Sequence, residues 1–99
     1  MKVFISQPMK NKTDEEILTE RNRMIEAVVR MHPDTEIEII DSFFQGAPVD
    51  AKPLWFLGKS LELLSTADIA VFAPGWDQFR GCKIEHTCCI EYGIEIIEV

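Results

Sequence analysis

The chain has 99 residues, 46% of them hydrophobic, and its 10 Lys and Arg against 17 Asp and Glu give a formal net charge of −7. That length supports one hydrophobic core, so residues 1–99 are expected to form a single domain, and the hydrophobic content argues against disorder. The acidic balance and the lack of a basic cluster exclude a nucleic-acid partner. No apolar stretch approaches the roughly 18 residues of a spanning helix, so no membrane partner is expected. Three cysteines cannot all pair within the chain, which favours a reducing, cytoplasmic location.

The first half of the chain predicts a strand, a helix and a second strand. Residues 2–6 (KVFIS) form a short apolar run typical of a strand. Thr13 and Glu16 fit a capping box, and the apolar spacing that follows predicts a helix to about Met31. Its apolar stripe comprises Ile17, Leu18, Met24, Ile25, Val28 and Val29. Residues 36–41 alternate in polarity and predict the second strand.

The second half predicts two further helices and two further strands. Residues 53–65 begin with a proline suited to a first helical turn, and one side of this helix carries Leu54, Leu57, Leu61 and Leu64. Residues 68–73 form a continuous apolar run that suits a central parallel strand. After the turn-rich loop 74–81, residues 82–92 predict a helix that a glycine ends, and residues 94–99 predict the last strand.

The resulting order, βαβαβαβ with right-handed crossovers, predicts an α/β fold. We expect three α/β/α layers around a four-stranded parallel sheet with strand order 2-1-3-4, as in flavodoxin-like and Rossmann-like folds. Ligands of such sheets bind beyond the carboxyl ends of the strands, near the switch point between strands 1 and 3. The loops after Ser6, Asp41 and Ala73 are therefore expected to form the site. No glycine-rich phosphate motif follows the first strand, and no cofactor is expected.

Two acidic residues are the catalytic candidates. Glu85 lies early in the third predicted helix, where the helix dipole favours negative charge, so we expect it to be ionised at neutral pH. An ionised carboxylate there can attack an electrophilic sugar carbon, or it can simply complement the dipole. Asp77, in the preceding loop, can donate a proton to a leaving group or cap its own turn. Asp41 can accept hydrogen bonds from sugar hydroxyls or form an ordinary Asp–Ser turn.

Loop aromatics and two basic residues have both a binding and a structural interpretation. The aromatics outside the periodic stripes are Trp76, Phe79, Phe43 and Phe44. They can stack on a flat base at a pocket mouth, or pack beneath the loops or against a second subunit. Arg80 and Lys83 can bind one phosphate at the start of the third helix, or they are solvated surface charges.

A metal site is the weaker interpretation of the third helix. Cys82, His86 and Cys89 share one helix face, but no strong C-x-x-C pair and no fourth ligand are evident. Buried small thiols and a surface histidine explain the same residues. We therefore expect no metal.

Three segments give the chain a family resemblance: 4–9 (FISQPM), 73–76 (APGW) and 80–86 (RGCKIEH). Over essentially its whole length the chain resembles small bacterial and phage members of the nucleoside 2-deoxyribosyltransferase-like superfamily, many of them of unknown function. Characterised relatives cleave the N-glycosidic bond of deoxynucleosides or nucleotides through a glutamate in a Gly-x-x-x-Glu helix start. Gly81 and Glu85 match that spacing, so the resemblance implies Glu85 as nucleophile and Asp77 as acid/base.

The loop positions and the resemblance together define an expected substrate site. Its residues are Ser6, Gln7, Pro8, Met9, Asp41, Gly75, Trp76, Arg80 and Gly81. Relatives often carry Ser-Gly-Pro in the first loop, where this chain has glutamine in place of the glycine. A neighbouring subunit often completes the site in relatives, which implies a homodimer or higher homo-oligomer. Trp55 and Phe56 are candidates either for that interface or for the core.

The sequence thus favours an enzyme that cleaves N-glycosidic bonds, either a nucleoside or nucleotide hydrolase or a deoxyribosyltransferase. Its partner would be a small-molecule nucleoside or nucleotide. A non-catalytic binder or sensor of nucleotide-derived ligands is the alternative. A third possibility is an interaction domain whose acidic surface and loop aromatics meet a protein partner.

Overall fold

The four strands of the described part of the chain form one parallel sheet. The computed structural model describes residues 1–42 and 47–99, so the predictions for Phe43 and Phe44 lie outside the described residues. Its elements are β1 (Lys2–Ser6), α1 (Asp14–Met31), β2 (Glu38–Ile39), α2 (Pro53–Leu64), β3 (Ile69–Phe72), α3 (Arg80–Tyr92) and β4 (Glu95–Glu98), with a 3₁₀ turn at Trp76–Gln78. The sheet order is β2-β1-β3-β4, with Phe4 aligned on Ala70 and Ala70 on Ile96. The predicted fold and strand order are confirmed.

Each face of the sheet has its own hydrophobic cluster, because successive side chains of a strand point to opposite faces. One face packs against α1 through Val3, Ile5, Met24, Val28, Ile69, Val71 and Ala73. The other face packs against α2 and α3 through Phe4, Leu64, Ala70, Phe72 and Cys89. One helix therefore covers one face and two helices cover the other, which gives the three layers.

Helix α1 begins where its capping box predicts. The Glu16 backbone N–H donates to the Thr13 hydroxyl at 3.1 Å, and the Thr13 N–H donates to the Glu16 carboxylate at 3.1 Å. These two bonds satisfy backbone donors that the first turn of a helix leaves free.

The helices bury less of their apolar stripes than the sequence predicts. Leu18 is 42% exposed and Val29 is 48% exposed, whereas Arg21 of the same helix is buried. In α2 only Leu64 is buried, and Leu54 is 74% exposed. The reason is that the last turn of α2 packs on the sheet cluster, while its first turn extends beyond that cluster.

Two element boundaries also differ from the prediction. Strand β2 comprises only Glu38–Ile39 instead of residues 36–41, since it is an edge strand with two aligned pairs to β1. Helix α3 begins at Arg80, two residues earlier than predicted, directly after Phe79 in extended conformation. The earlier start places Glu85 past the first helical turn.

Two findings bear on the cellular environment. Within residues 1–42 and 47–99, none of the helices has the length and hydrophobicity that crossing a membrane requires. Cys82, Cys88 and Cys89 are all free thiols.

The capping box should stabilise the whole domain. We expect Thr13→Ala to lower the free energy of unfolding by about 1 kcal/mol, because the Glu16 N–H loses its acceptor. Urea denaturation measures the change. The matched control is Thr19→Ala, an exposed threonine inside α1. An equal loss in both variants would assign the effect to threonine in general and contradict the role of the cap.

Candidate functional site

A buried hydrogen bond joins β1 to α3 at the carboxyl edge of the sheet. The Ser6 hydroxyl donates to Glu85 Oε1 at 2.6 Å, and the two residues are 1% and 7% exposed. Ser6 is the last residue of β1 and aligns with Phe72, the last residue of β3. The pair therefore lies at the junction of strands β1 and β3, the switch point at which ligands of such sheets bind.

Burial controls the ionisation of Glu85. It raises the pKa of this carboxyl to about 7, while hydrogen bonding from Ser6 and from Ser60 lowers it in turn. Because Glu85 is the sixth residue of α3, it lies beyond the first turn, where the helix dipole acts. A pKa of about 7 is at odds with the expectation of an ionised Glu85, because a substantial fraction of the molecules then carries the proton at neutral pH.

Ser60 is a site residue that the sequence reasoning missed. It lies on α2, four residues before the buried Leu64, and its side chain bonds to Glu85. The available signal was the spacing of Ser60, which places it on the same side of the helix as Leu64. The Glu85 carboxyl is thus held from both β1 and α2.

Gly81 leaves open space beside the carboxyl-bearing face of α3. It precedes Glu85 by four residues, so the two share a helix face. A Cβ built at Gly81 meets no described atom within 4 Å. Glycine inside a helix costs about 1 kcal/mol relative to alanine, so the packing of the chain gives no reason for glycine there.

The first loop turns its glutamine away from this site. The Gln7 side-chain amide donates to the Ile17 carbonyl at 3.0 Å and to Glu20 Oε1 at 3.2 Å, both on α1. Pro8 is buried beside it and Met9 is half-buried. Consecutive residues at the end of β1 therefore serve opposite faces: Ser6 meets α3 and Gln7 meets α1.

Arg21 is a second residue that the sequence reasoning missed. Its guanidinium donates to the Ile40 carbonyl at 2.7 Å and to the Ser42 hydroxyl at 3.1 Å, and Ser42 donates to the Ile5 carbonyl at 3.2 Å. Burial lowers the pKa of Arg21, and the nearby charge of Asp41 raises it. These bonds fix the chain at Asp41, which is itself exposed. An arginine in register with the apolar positions of α1 was the signal.

Trp76 holds the loop after β3 by packing against His86 of α3. Gly75 starts its 3₁₀ turn with φ 81°, a conformation that favours glycine. The Trp76 indole stacks on His86 with centroids 3.8 Å apart and 5° between the planes. Asp77 follows and is exposed. Within the described residues, no hydrogen bond joins Asp77 to Glu85.

The start of α3 is basic and uncapped. Arg80 and Lys83 are exposed, no side chain caps the helix, and its first turn contains no acidic residue. Unpaired backbone N–H groups at a helix start favour anions. Arg80 and Lys83 both lie within one helical turn of Gly81.

Cys82 and Cys89 of α3 have the properties of buried thiols. Burial raises the pKa of Cys82, and it raises the pKa of Cys89 to about 11. Among residues 1–42 and 47–99, no group of three His, Cys, Asp or Glu side chains is placed to hold a metal ion.

Two surface cavities lie elsewhere. One, of about 340 Å³, follows the exposed side of α1 between Lys12 and Arg23, and the other, of about 500 Å³, lies around Leu54 and Trp55 at the start of α2. Glu85 lines neither. Their lining holds none of the hydrogen-bonded buried carboxyls that mark a reactive site, so the chemistry points to the Ser6–Glu85 pair.

Comparison with known proteins gives no match: no family model, no curated protein and no solved structure matches the chain. The resemblance to nucleoside 2-deoxyribosyltransferases therefore stays a prediction. The geometry itself is of a buried carboxyl at the ligand edge of a parallel sheet, held by two serine hydroxyls and bordered by a helical glycine.

Ionisation of Glu85 should reduce stability as the pH rises. An unfolded chain loses this proton near 4.5, whereas the folded chain keeps it to about 7. Between these values the unfolded state binds fewer protons, so stability falls with increasing pH by up to about 3 kcal/mol. Glu85→Gln has no proton to lose. We expect the free energy of unfolding of the variant, relative to that of the wild type, to rise by about this amount from pH 4 to pH 8.

Urea titrations of both proteins at each pH measure that difference. Glu91→Gln, an exposed glutamate of the same helix, is the control and should show no such trend. A constant difference between Glu85→Gln and the wild type would mean that the pKa of Glu85 is not raised.

Proposed function

We propose that the protein cleaves N-glycosidic bonds of nucleosides or nucleotides, as a hydrolase or a deoxyribosyltransferase, with Glu85 as the nucleophile. The observation that carries the proposal is the position of Glu85: a carboxyl held at 2.6 Å by Ser6, at the switch point of a parallel sheet. Open space at Gly81, on the same helix face, would admit the sugar. The sequence resemblance to nucleoside 2-deoxyribosyltransferases supports the same chemistry.

In the first step a Glu85 oxygen attacks the anomeric carbon of the sugar. A C–O ester bond forms while the C–N bond breaks, and the electron pair of that bond goes to the base. Asp77 gives the base a proton, so the base leaves neutral. The Ser6 hydroxyl donates to Oε1 of Glu85 and so holds the carboxyl in place while its other oxygen attacks.

In the second step an acceptor releases the sugar from Glu85. Water, or the nitrogen of another base, attacks the anomeric carbon and loses a proton to Asp77, and the ester bond breaks to regenerate the Glu85 carboxylate. Water gives the free sugar, and a second base gives a new nucleoside. Atoms and charges balance in both cases.

The raised pKa of Glu85 sets the pH dependence of this reaction. Only the ionised carboxylate can attack, so activity should rise with pH as Glu85 loses its proton near 7. A positively charged transition state next to the carboxyl favours the ionised form.

The non-catalytic alternative has one observation in its favour. A Glu85 that is half protonated at neutral pH can donate as well as accept hydrogen bonds, which suits recognition of a sugar hydroxyl without turnover. Ligand binding without base release would support this sensor function.

We also propose that the chain works in the cytoplasm as a homodimer or higher homo-oligomer. Free thiols suit a reducing compartment. Leu54 is 74% exposed and Phe56 is 37% exposed, and the edge-to-face pair of Trp55 and Phe56 adds aromatic surface to the same end of α2. Aromatic and apolar side chains of this kind are common in the centre of subunit interfaces.

The function is tested by release of free base from a panel of deoxynucleosides, ribonucleosides and their 5′-monophosphates. We expect release by the wild type and a loss of about a thousandfold or more in kcat for Glu85→Gln, which retains the shape but not the nucleophile. Glu91→Gln controls for the charge change and should keep full activity. The wild-type kcat/KM should increase with pH through about 7.

Other outcomes overturn parts of the proposal. Equal release by the wild type and Glu85→Gln removes Glu85 from the chemistry. Activity that falls with pH through this range makes Glu85 a proton donor instead of the nucleophile. No release from any substrate, together with thermal stabilisation by one of them, supports the sensor.

Gly81→Ala tests whether the open space serves the substrate. We expect the free energy of unfolding of the variant to exceed that of the wild type by up to about 1 kcal/mol, because alanine favours the helix. It should nevertheless raise KM at least about tenfold, since the methyl group occupies the space beside Glu85. Gly58→Ala is the matched control: it is also a helical glycine whose Cβ would meet no described atom within 4 Å. Unchanged KM in Gly81→Ala would contradict the assignment.

A further inference from the structure

Trp76 is tied to two different elements by contacts that the proposed reaction does not itself use. Its indole N–H donates to Glu98 Oε1 of β4 at 2.8 Å. Its ring lies flat on the His86 ring of α3. Phe72 makes an edge-to-face contact with each of these two rings, with its ring centroid 5.7 Å from that of Trp76 and 4.8 Å from that of His86. One side chain thus connects the loop after β3 to the edge strand and to the third helix.

These contacts link the positions of the two proposed reacting residues. Asp77 follows Trp76 in the 3₁₀ turn, and Glu85 precedes His86 in α3. Backbone bonds add to the rigidity of the turn, since the Trp76 N–H donates to the Ala73 carbonyl at 3.2 Å and the Phe79 N–H donates to the Trp76 carbonyl at 3.2 Å. The Trp76–His86 stack therefore fixes the turn that contains Asp77 relative to the helix that contains Glu85.

We propose that Trp76, held by Glu98 and His86, is the positioning residue that places Asp77 to protonate the leaving base. The assignment rests on the proposed function. Positioning matters because a proton donor must lie within hydrogen-bond reach of the base nitrogen as the C–N bond breaks. Asp77 is exposed, so its turn depends on contacts made by its neighbours.

His86 acts in this arrangement through its shape. Its Nε2 is buried and has no hydrogen-bond partner among the described residues, so the ring is held by stacking. An aromatic ring that contains no nitrogen, such as that of phenylalanine, should therefore support Trp76 equally well. This distinguishes a support for Trp76 from a histidine that transfers protons.

The test compares two substrates that differ in their need for an acid. Deoxyguanosine requires protonation of the departing base. In 7-methyldeoxyguanosine the base already carries a positive charge, and the electron pair of the C–N bond neutralises it without a proton. We expect Glu98→Ala to lower the single-turnover rate of base release, which reports the first step alone, about tenfold or more for deoxyguanosine and to leave that rate within about twofold for the methylated substrate. Asp77→Asn should give the same pattern.

Matched variants separate positioning from folding. Glu95→Ala removes the other exposed glutamate of β4 and should affect neither substrate. Glu98→Gln keeps an acceptor for the indole and should restore most of the rate. His86→Phe should retain activity towards both substrates, whereas His86→Ala should reproduce Glu98→Ala.

Each contrary result has a distinct meaning. Equal losses for both substrates in Glu98→Ala would show a general structural role and overturn the positioning role of Trp76. Inactive but folded His86→Phe would overturn the stacking role and assign chemistry to the imidazole. If the wild type releases base from no substrate of the panel, these two included, the proposed function itself fails, whatever the variants show.

Discussion

Burial of the Glu85 carboxyl is the constraint around which the site is built. An isolated charge in this position would cost several kcal/mol, and the protein meets that cost in two ways: hydroxyl donors, and a pKa raised to about 7. The donors come from Ser6 at the end of β1 and Ser60 on α2, while the carboxyl belongs to α3. Three elements from distant parts of the chain therefore converge on one group, and the parallel sheet brings them there.

The sheet also separates supporting interactions from chemistry. On the α1 face, Arg21 and Gln7 use their hydrogen-bond donors to hold the ends of β1 and β2. On the opposite face, Ser6 and Glu85 form the buried hydrogen-bonded pair on which the proposed chemistry depends. Because successive residues of a strand alternate between faces, the end of β1 supplies both functions within two residues.

The two proposed reacting residues differ in their environments. Glu85 is 7% exposed, whereas Asp77 lies in an exposed turn that Trp76 holds. Sequence reasoning made Glu85 the ionised carboxyl, yet burial raises the pKa of Glu85 to about 7. A nucleophile of this kind is reactive only when its proton is lost, which ties the proposed activity to pH near neutrality. It also makes folding stability and reactivity respond in opposite directions to the same proton.

The sequence by itself determined the element order, the strand order and the start of α1, because apolar periodicity, a capping box and the right-handed crossover are local or general rules. It also singled out Ser6 and Glu85 by their places at strand end and helix start. It could not determine that Arg21 is buried, that the Ser60 side chain bonds to Glu85, that Leu54 is exposed, or that Trp76 stacks on His86. Those facts depend on which helix face meets the sheet and on contacts between residues far apart in the chain. The pKa of Glu85 belongs with them, since burial is a property of the assembled fold.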